Sequence, residues 1–80
     1  MTFQLFQQVA LTRDFPDKSL RQGDVATIVD HHPIAQGEDG YSLEVFNALG
    51  ETIAVLAVAE CAIQPLSANE ILHVRSLTPA

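Results

Sequence analysis

The side chains of this 80-residue chain that could do chemistry are three histidines, one cysteine and ten carboxylates. His31 and His32 are adjacent, and neighbours on a strand point to opposite faces. The pair therefore cannot chelate one ion unless the chain curls. His73 is distant, and no Cys or carboxylate spacing joins it to them. The two adjacent histidines read as exposed loop residues. Cys61 lies between Glu60 and Ala62. A nucleophilic thiol needs a base or a lowered pKa, and an acidic neighbour works the other way, so Cys61 reads as a small, partly buried apolar residue. The carboxylates Asp14, Asp17, Asp24, Asp30, Glu38, Asp39, Glu44, Glu51, Glu60 and Glu70 are dispersed, with no pair spaced for acid and base work. Asp24 is expected to hydrogen-bond its own turn after Gly23, and Glu38 and Asp39 to solvate a loop tip. Gly37-Glu38-Asp39-Gly40 lacks the alternating oxygen ligands of a calcium loop. Phosphate-cradling and dinucleotide fingerprints are absent from the sequence. The expectation is a protein without catalytic residues, metal or cofactor.

Charge and composition narrow the classes further. Four Lys and Arg stand against ten Asp and Glu, a formal net charge of −6. Nucleic acid and anionic membrane surfaces call for clustered cations, so neither is an expected partner. Hydrophobic residues make up 48% of the chain, too many for a disordered acidic tail. A single cysteine excludes an intramolecular disulfide framework. The start, Met1-Thr2-Phe3-Gln4, lacks the basic lead and apolar run of a secretory signal, and no segment approaches the ~20 apolar residues of a membrane span. One cytoplasmic domain spanning residues 1–80 is expected.

The turn formers cut the chain into short pieces, with all four glycines in its middle. Val9-Ala10-Leu11 reads as a first strand, followed by a polar loop over residues 12–22 that holds Arg13, Lys18 and Arg21. Gly23-Asp24 turns the chain into a β-branched run, residues 25–30, apolar on both faces and therefore central. Residues 31–39 read as an exposed loop. Tyr41, Leu43 and Val45 alternate inward against Ser42 and Glu44. Asn47-Ala48-Leu49-Gly50 has the Asn and Gly of a type I turn, joining that strand to residues 52–58. This next strand is apolar on both faces and is expected to be buried, with helix over residues 52–63 as the competing reading. Ala59-Glu60-Cys61-Ala62 reads as one helical turn. Ser67-x-x-Glu70 has capping-box spacing, but too few apolar residues follow for a helix, so a turn leading into a strand at residues 71–75 is predicted. Five or six short strands with one helical turn fit a small closed barrel, which leaves no sticky edges.

The motifs Val9-Ala10-Leu11, Leu20-x-x-Gly23-Asp24-x-x-Thr27-Ile28-Val29, Tyr41-Ser42-Leu43-Glu44-Val45-Phe46 and Gly50-Glu51-Thr52 occur in that order. Together they resemble the small bacterial domain-of-unknown-function family 4926 over residues 8–66. The resemblance implies an SH3-like barrel with residues 67–80 as an extension, and it implies no activity. Many members carry glycine where this chain has Ala26. The Gly-Asp-x-x-Thr-Ile-Val pattern is also similar to barrels of nitrile hydratase β subunits, photosynthetic accessory subunits and ribosomal KOW domains. Fold alone does not fix function.

The expected role is a non-catalytic protein-interaction module, antitoxin-like or inhibitory, steered toward a basic partner protein. The alternative is an accessory subunit of an enzyme or electron-transfer complex. The candidate partner surface is the first loop, with Arg13, Asp14, Phe15 and Asp17, together with His31, His32 and Phe46. Aromatics anchor interfaces, although the simpler reading of Phe3, Phe6, Phe15 and Phe46 is as caps on the open barrel ends. A monomer is expected, or a weak homodimer in which residues 71–75 pair as an edge strand.

Overall fold

The structure, a computed structural model, describes residues 3–77. It contains five strands: β1 (Gln8–Leu11), β2 (Val25–His32), β3 (Gly40–Phe46), β4 (Thr52–Ala59) and β5 (Ile63–Pro65). One 3-10 turn, Pro16–Lys18, interrupts the first loop, and a second, Glu60–Ala62, links β4 to β5. All pairings are antiparallel within one sheet ordered β4-β3-β2-β1-β5. A four-strand meander whose fifth strand returns beside the first after a 3-10 turn is the strand order of an SH3-like barrel.

Local chemistry accounts for each element. Asn47 Oδ1 accepts the N–H groups of Leu49 and Glu51, both at 2.9 Å, and the Gly50 N–H donates to the Asn47 carbonyl at 3.0 Å. Gly50 takes φ +86°, the left-handed step that a type I hairpin turn needs before its second strand. Tyr41, Leu43 and Val45 alternate into the core, as expected. They meet Val9, Leu11, Ile28, Leu56 and Val58 from the neighbouring strands. Ala26 pairs with Val9 and is buried, so its methyl fills core space where a glycine would leave none filled.

Four expectations are corrected. β2 runs two residues further than predicted, so His31 and His32 are strand residues and not loop residues. The ladder with β3 continues past a bulge, His31 pairing with Tyr41 and His32 with Gly40; Ile28 faces Leu43 and Asp30 faces Ser42, leaving Val29 without a partner of its own. Unbroken alternation would have aimed Asp30 inward beside Ile28. The extra residue turns Asp30 out to solvent and brings His31 opposite Tyr41. β4 is an edge strand and not a buried one: Ile53 is 38% exposed and Val55 58%. Residues 71–75 join no ladder. The Ser67–Glu70 turn does form, with the Ser67 N–H donating to Glu70 Oε1 at 2.6 Å and the Glu70 N–H to the Ser67 carbonyl at 3.1 Å, but the chain beyond it stays irregular. Among the described residues no ladder joins β4 to β5. Side chains of the central cluster, including Leu56, Val58, Ala62 and Ile63, close the barrel instead.

Candidate functional site

The end of the barrel where β2 runs into β3 is sealed by aromatic and polar groups. Tyr41 is fully buried, with the Phe3 ring edge-on to it at 5.6 Å and the His31 ring stacked on it at 4.8 Å. His31 Nε2–H donates to Asp39 Oδ2 at 2.8 Å, and Asp39 Oδ1 accepts the Ile34 N–H at 3.2 Å. The His31 hydrogen bond, followed by that backbone donor, holds the Asp39 carboxyl below its usual range. The Tyr41 hydroxyl receives the Phe3 N–H at 3.5 Å and donates to Glu60 Oε1 at 3.4 Å. Burial, with the nearby Glu60 and Asp39 charges, pushes the Tyr41 hydroxyl upward.

The 3-10 turn Glu60–Ala62 ties two loops together beside this end. The Thr12 hydroxyl donates to the Cys61 carbonyl at 2.8 Å, and the Cys61 N–H donates to Glu38 Oε2 at 3.0 Å. Cys61 is exposed, not partly buried as expected. Its hydrogen bond with Glu38, and then the Glu38 charge, raise the thiol pKa, which keeps the thiolate scarce. Glu38 and Asp39 are therefore braces for neighbouring backbone and His31, not merely solubilising tips.

The predicted surface residues fall into separate groups. Arg13 lays its guanidinium over the half-buried Phe15 ring, 4.2 Å from the centroid. Asp14 Oδ1 accepts the Gln22 N–H at 2.8 Å within the same loop, and Asp17 is exposed in the first 3-10 turn. His31 belongs to the sealed end, while His32 Nε2 is hydrogen-bonded with Ser42 Oγ at 2.8 Å on the outer sheet face. The two rings take different partners on β3 and its approach. Phe46, six residues beyond Gly40 on β3, stands about 20 Å from His32 at the ~3.3 Å rise of a strand.

Phe46 opens instead onto an apolar groove of about 820 Å³ at the opposite end. Ala10 and Val25 of the sheet, Phe46 and Leu49 of the hairpin, and Ile71 and Leu72 of the tail line it. The tail is pinned across this end by Arg75. Its Nε donates to Asp24 Oδ1 at 2.9 Å, a terminal nitrogen donates to Asp24 Oδ2, and the same nitrogen reaches the Ser19 carbonyl at 3.1 Å. Asp24 also accepts the Arg21 N–H at 2.8 Å, the expected turn bond. Burial opposes ionisation of Asp24, but the Arg75 and Arg21 hydrogen bonds outweigh it and hold the carboxyl below its usual range. The same pairing raises Arg75. Despite this anchor, Ile71 is 91% exposed and Val74 86%.

Sequence reasoning misses the Arg75 clasp, although a signal exists: Arg75 is the one Lys or Arg outside residues 12–22, in a tail whose Ile71, Leu72, Val74 and Leu77 are apolar. Among the described residues, no three His, Cys, Asp or Glu side chains gather as a metal-binding group. No helix there is long and apolar enough to cross a membrane.

Strand order, hairpin and 3-10 closure place the molecule in the class of small SH3-like barrels. Within that class, the chain belongs to the family described as Domain of unknown function (DUF4926), whose model matches residues 5–65. No curated protein and no solved structure matches the chain. The family match ends on the last residue of β5, so the tail that walls the groove lies outside it.

Proposed function

We propose that this domain is a non-catalytic, cytoplasmic protein-interaction module that docks an apolar segment of a basic partner protein in the groove between hairpin and tail. One observation carries the reading. The tail is fixed by a bidentate ion pair, yet Ile71, Leu72 and Val74 remain in water along the groove. A fold that needed those side chains for its own core would turn them inward, and contiguous exposed apolar surface marks interaction sites. The net charge of −6 favours approach of a cationic protein and disfavours nucleic acid. Phe46 is thereby the member of the predicted surface that serves as an anchor. Arg13, Asp14 and Phe15 brace the first loop on itself, and His31 packs into the sealed end.

Co-purification from the host with the full chain as bait, beside the exposed-site variants Leu72→Asp and Val74→Asp, tests this. The expected result is a stoichiometric partner of net positive charge, released by either substitution and by added salt. A partner held equally by the variants, or an acidic one, would overturn the reading. A metabolic or redox enzyme recovered as that basic partner would make the domain an accessory subunit using the same groove.

A further inference from the structure

β4 carries a second surface that the groove does not explain. Its eight residues, Thr52–Ala59, contain no charge and no proline, and they hydrogen-bond as a ladder only with β3. Edges of this length are usually blunted by Lys, Pro or cover from another element. Beyond the exposed Thr52, whose hydroxyl donates to Glu44, and Ile53, which lines the groove, the exposed residues are Val55, Ala57 and Ala59, all apolar. The one irregularity is at the start: Phe46 pairs with Thr52 and Val45 with Ala54, which makes Ile53 a bulge. From Ala54 onward the edge is regular and open.

We propose that β4 pairs with β4 of a second copy, joining two barrels through a continuous antiparallel sheet. Antiparallel pairing about a two-fold axis is self-complementary, since each free N–H and C=O of one strand meets its counterpart on the other. An axis through Leu56 keeps the ladder within residues 54–58, clear of the bulge. It sets Val55 against the partner copy's Ala57 on the outer face, a large side chain against a small one. No charged side chain lies inside that ladder. The flanking Glu51 and Glu60, and the −6 on each copy, oppose association from outside it. The dimer is therefore weak at low salt and tightens as salt screens the repulsion. Salt acts in the opposite sense on the basic partner, so the two surfaces are separable by this response alone.

Sedimentation equilibrium of the purified full chain, over a concentration series at low and high sodium chloride, reads the association directly. The mass is expected to rise from the 8.7 kDa monomer toward twice that value, with stronger association at high salt. Val55→Lys places two cations near the axis on an already exposed face and is expected to weaken the dimer about tenfold or more. Ala57→Lys serves as a second variant, and circular dichroism verifies that each remains folded. A monomer at every concentration and salt would overturn the proposal, as would a dimer that both folded lysine variants leave intact. The first of those results would leave β4 open to an extended segment of another protein.

Discussion

At the end of the barrel built from His31, Asp39, Tyr41 and Glu60, every ring and carboxylate named touches another, and Tyr41 has no exposed surface. At the end bounded by the hairpin and the tail, Leu49, Ile71 and Val74 are almost wholly in water, and one ion pair does the fastening. The sealed end uses polar groups to complete a core. The open end uses a polar clasp to hold apolar groups out of it. Burying apolar area is the main driving force available to a domain this small, so leaving several such residues wet has a stability cost. That cost is understandable when a partner later covers them.

The contrast is broken most directly at Tyr41. Tyr41→Ala removes the ring against which Phe3 and His31 pack and is expected to destabilise the domain by about 3–5 kcal/mol. Urea unfolding measures this, and a loss under ~1 kcal/mol would mean the sealed end is not a core. Tyr41→Phe should cost far less, because the hydroxyl's two hydrogen bonds are long, at 3.4 and 3.5 Å. By comparison, Leu72→Ser at the open end should stay within about 0.5 kcal/mol of the parent.

Next in size is release of the tail. Arg75→Ala leaves Asp24 partly buried without its cation and is expected to cost about 1–2 kcal/mol, the range of a charged hydrogen bond discounted for its partial exposure. The sharper readout is local. Amide exchange and protease sensitivity should rise over residues 66–77 while β1 to β4 keep their protection. Loss of protection throughout the barrel would show that the clasp is part of the core, and the two ends would no longer differ in kind.

How much of this was readable before the structure follows the reach of each interaction. The hairpin was legible because Asn47 and Gly50 specify their turn within four residues. The inward set Tyr41, Leu43 and Val45 was legible because alternation is local too. The Val29 bulge was not, since it depends on where β3 lies, and it decides that His31 enters the sealed end. β4 misled because an apolar strand reads as buried whether it is central or an uncovered edge, and only strand order distinguishes them. The Asp24–Arg75 clasp spans 51 positions, so neither residue marks the other in the sequence. Phe46 was visible as an outward aromatic, but its separation from the histidines needed the register of β3.

The smallest predicted effect compares the two ends by acid. Asp39 and Asp24 both have carboxyls held below the ordinary ~3.9, by His31 and by Arg75. A depressed folded-state pKa contributes stability that is present above the unfolded value and lost as pH falls through the folded one. Both contributions are therefore intact above about pH 4 and vanish at lower pH. Asp39→Asn should make stability less steep over that acid range, read as a shallower fall of the urea midpoint below pH 4, with the tail's amide protection unchanged. Asp24→Asn should also flatten the fall, but it should free the tail already at neutral pH. If Asp39→Asn loosened residues 66–77 as well, the two ends would be coupled through the sheet, and the groove would respond to whatever grips His31.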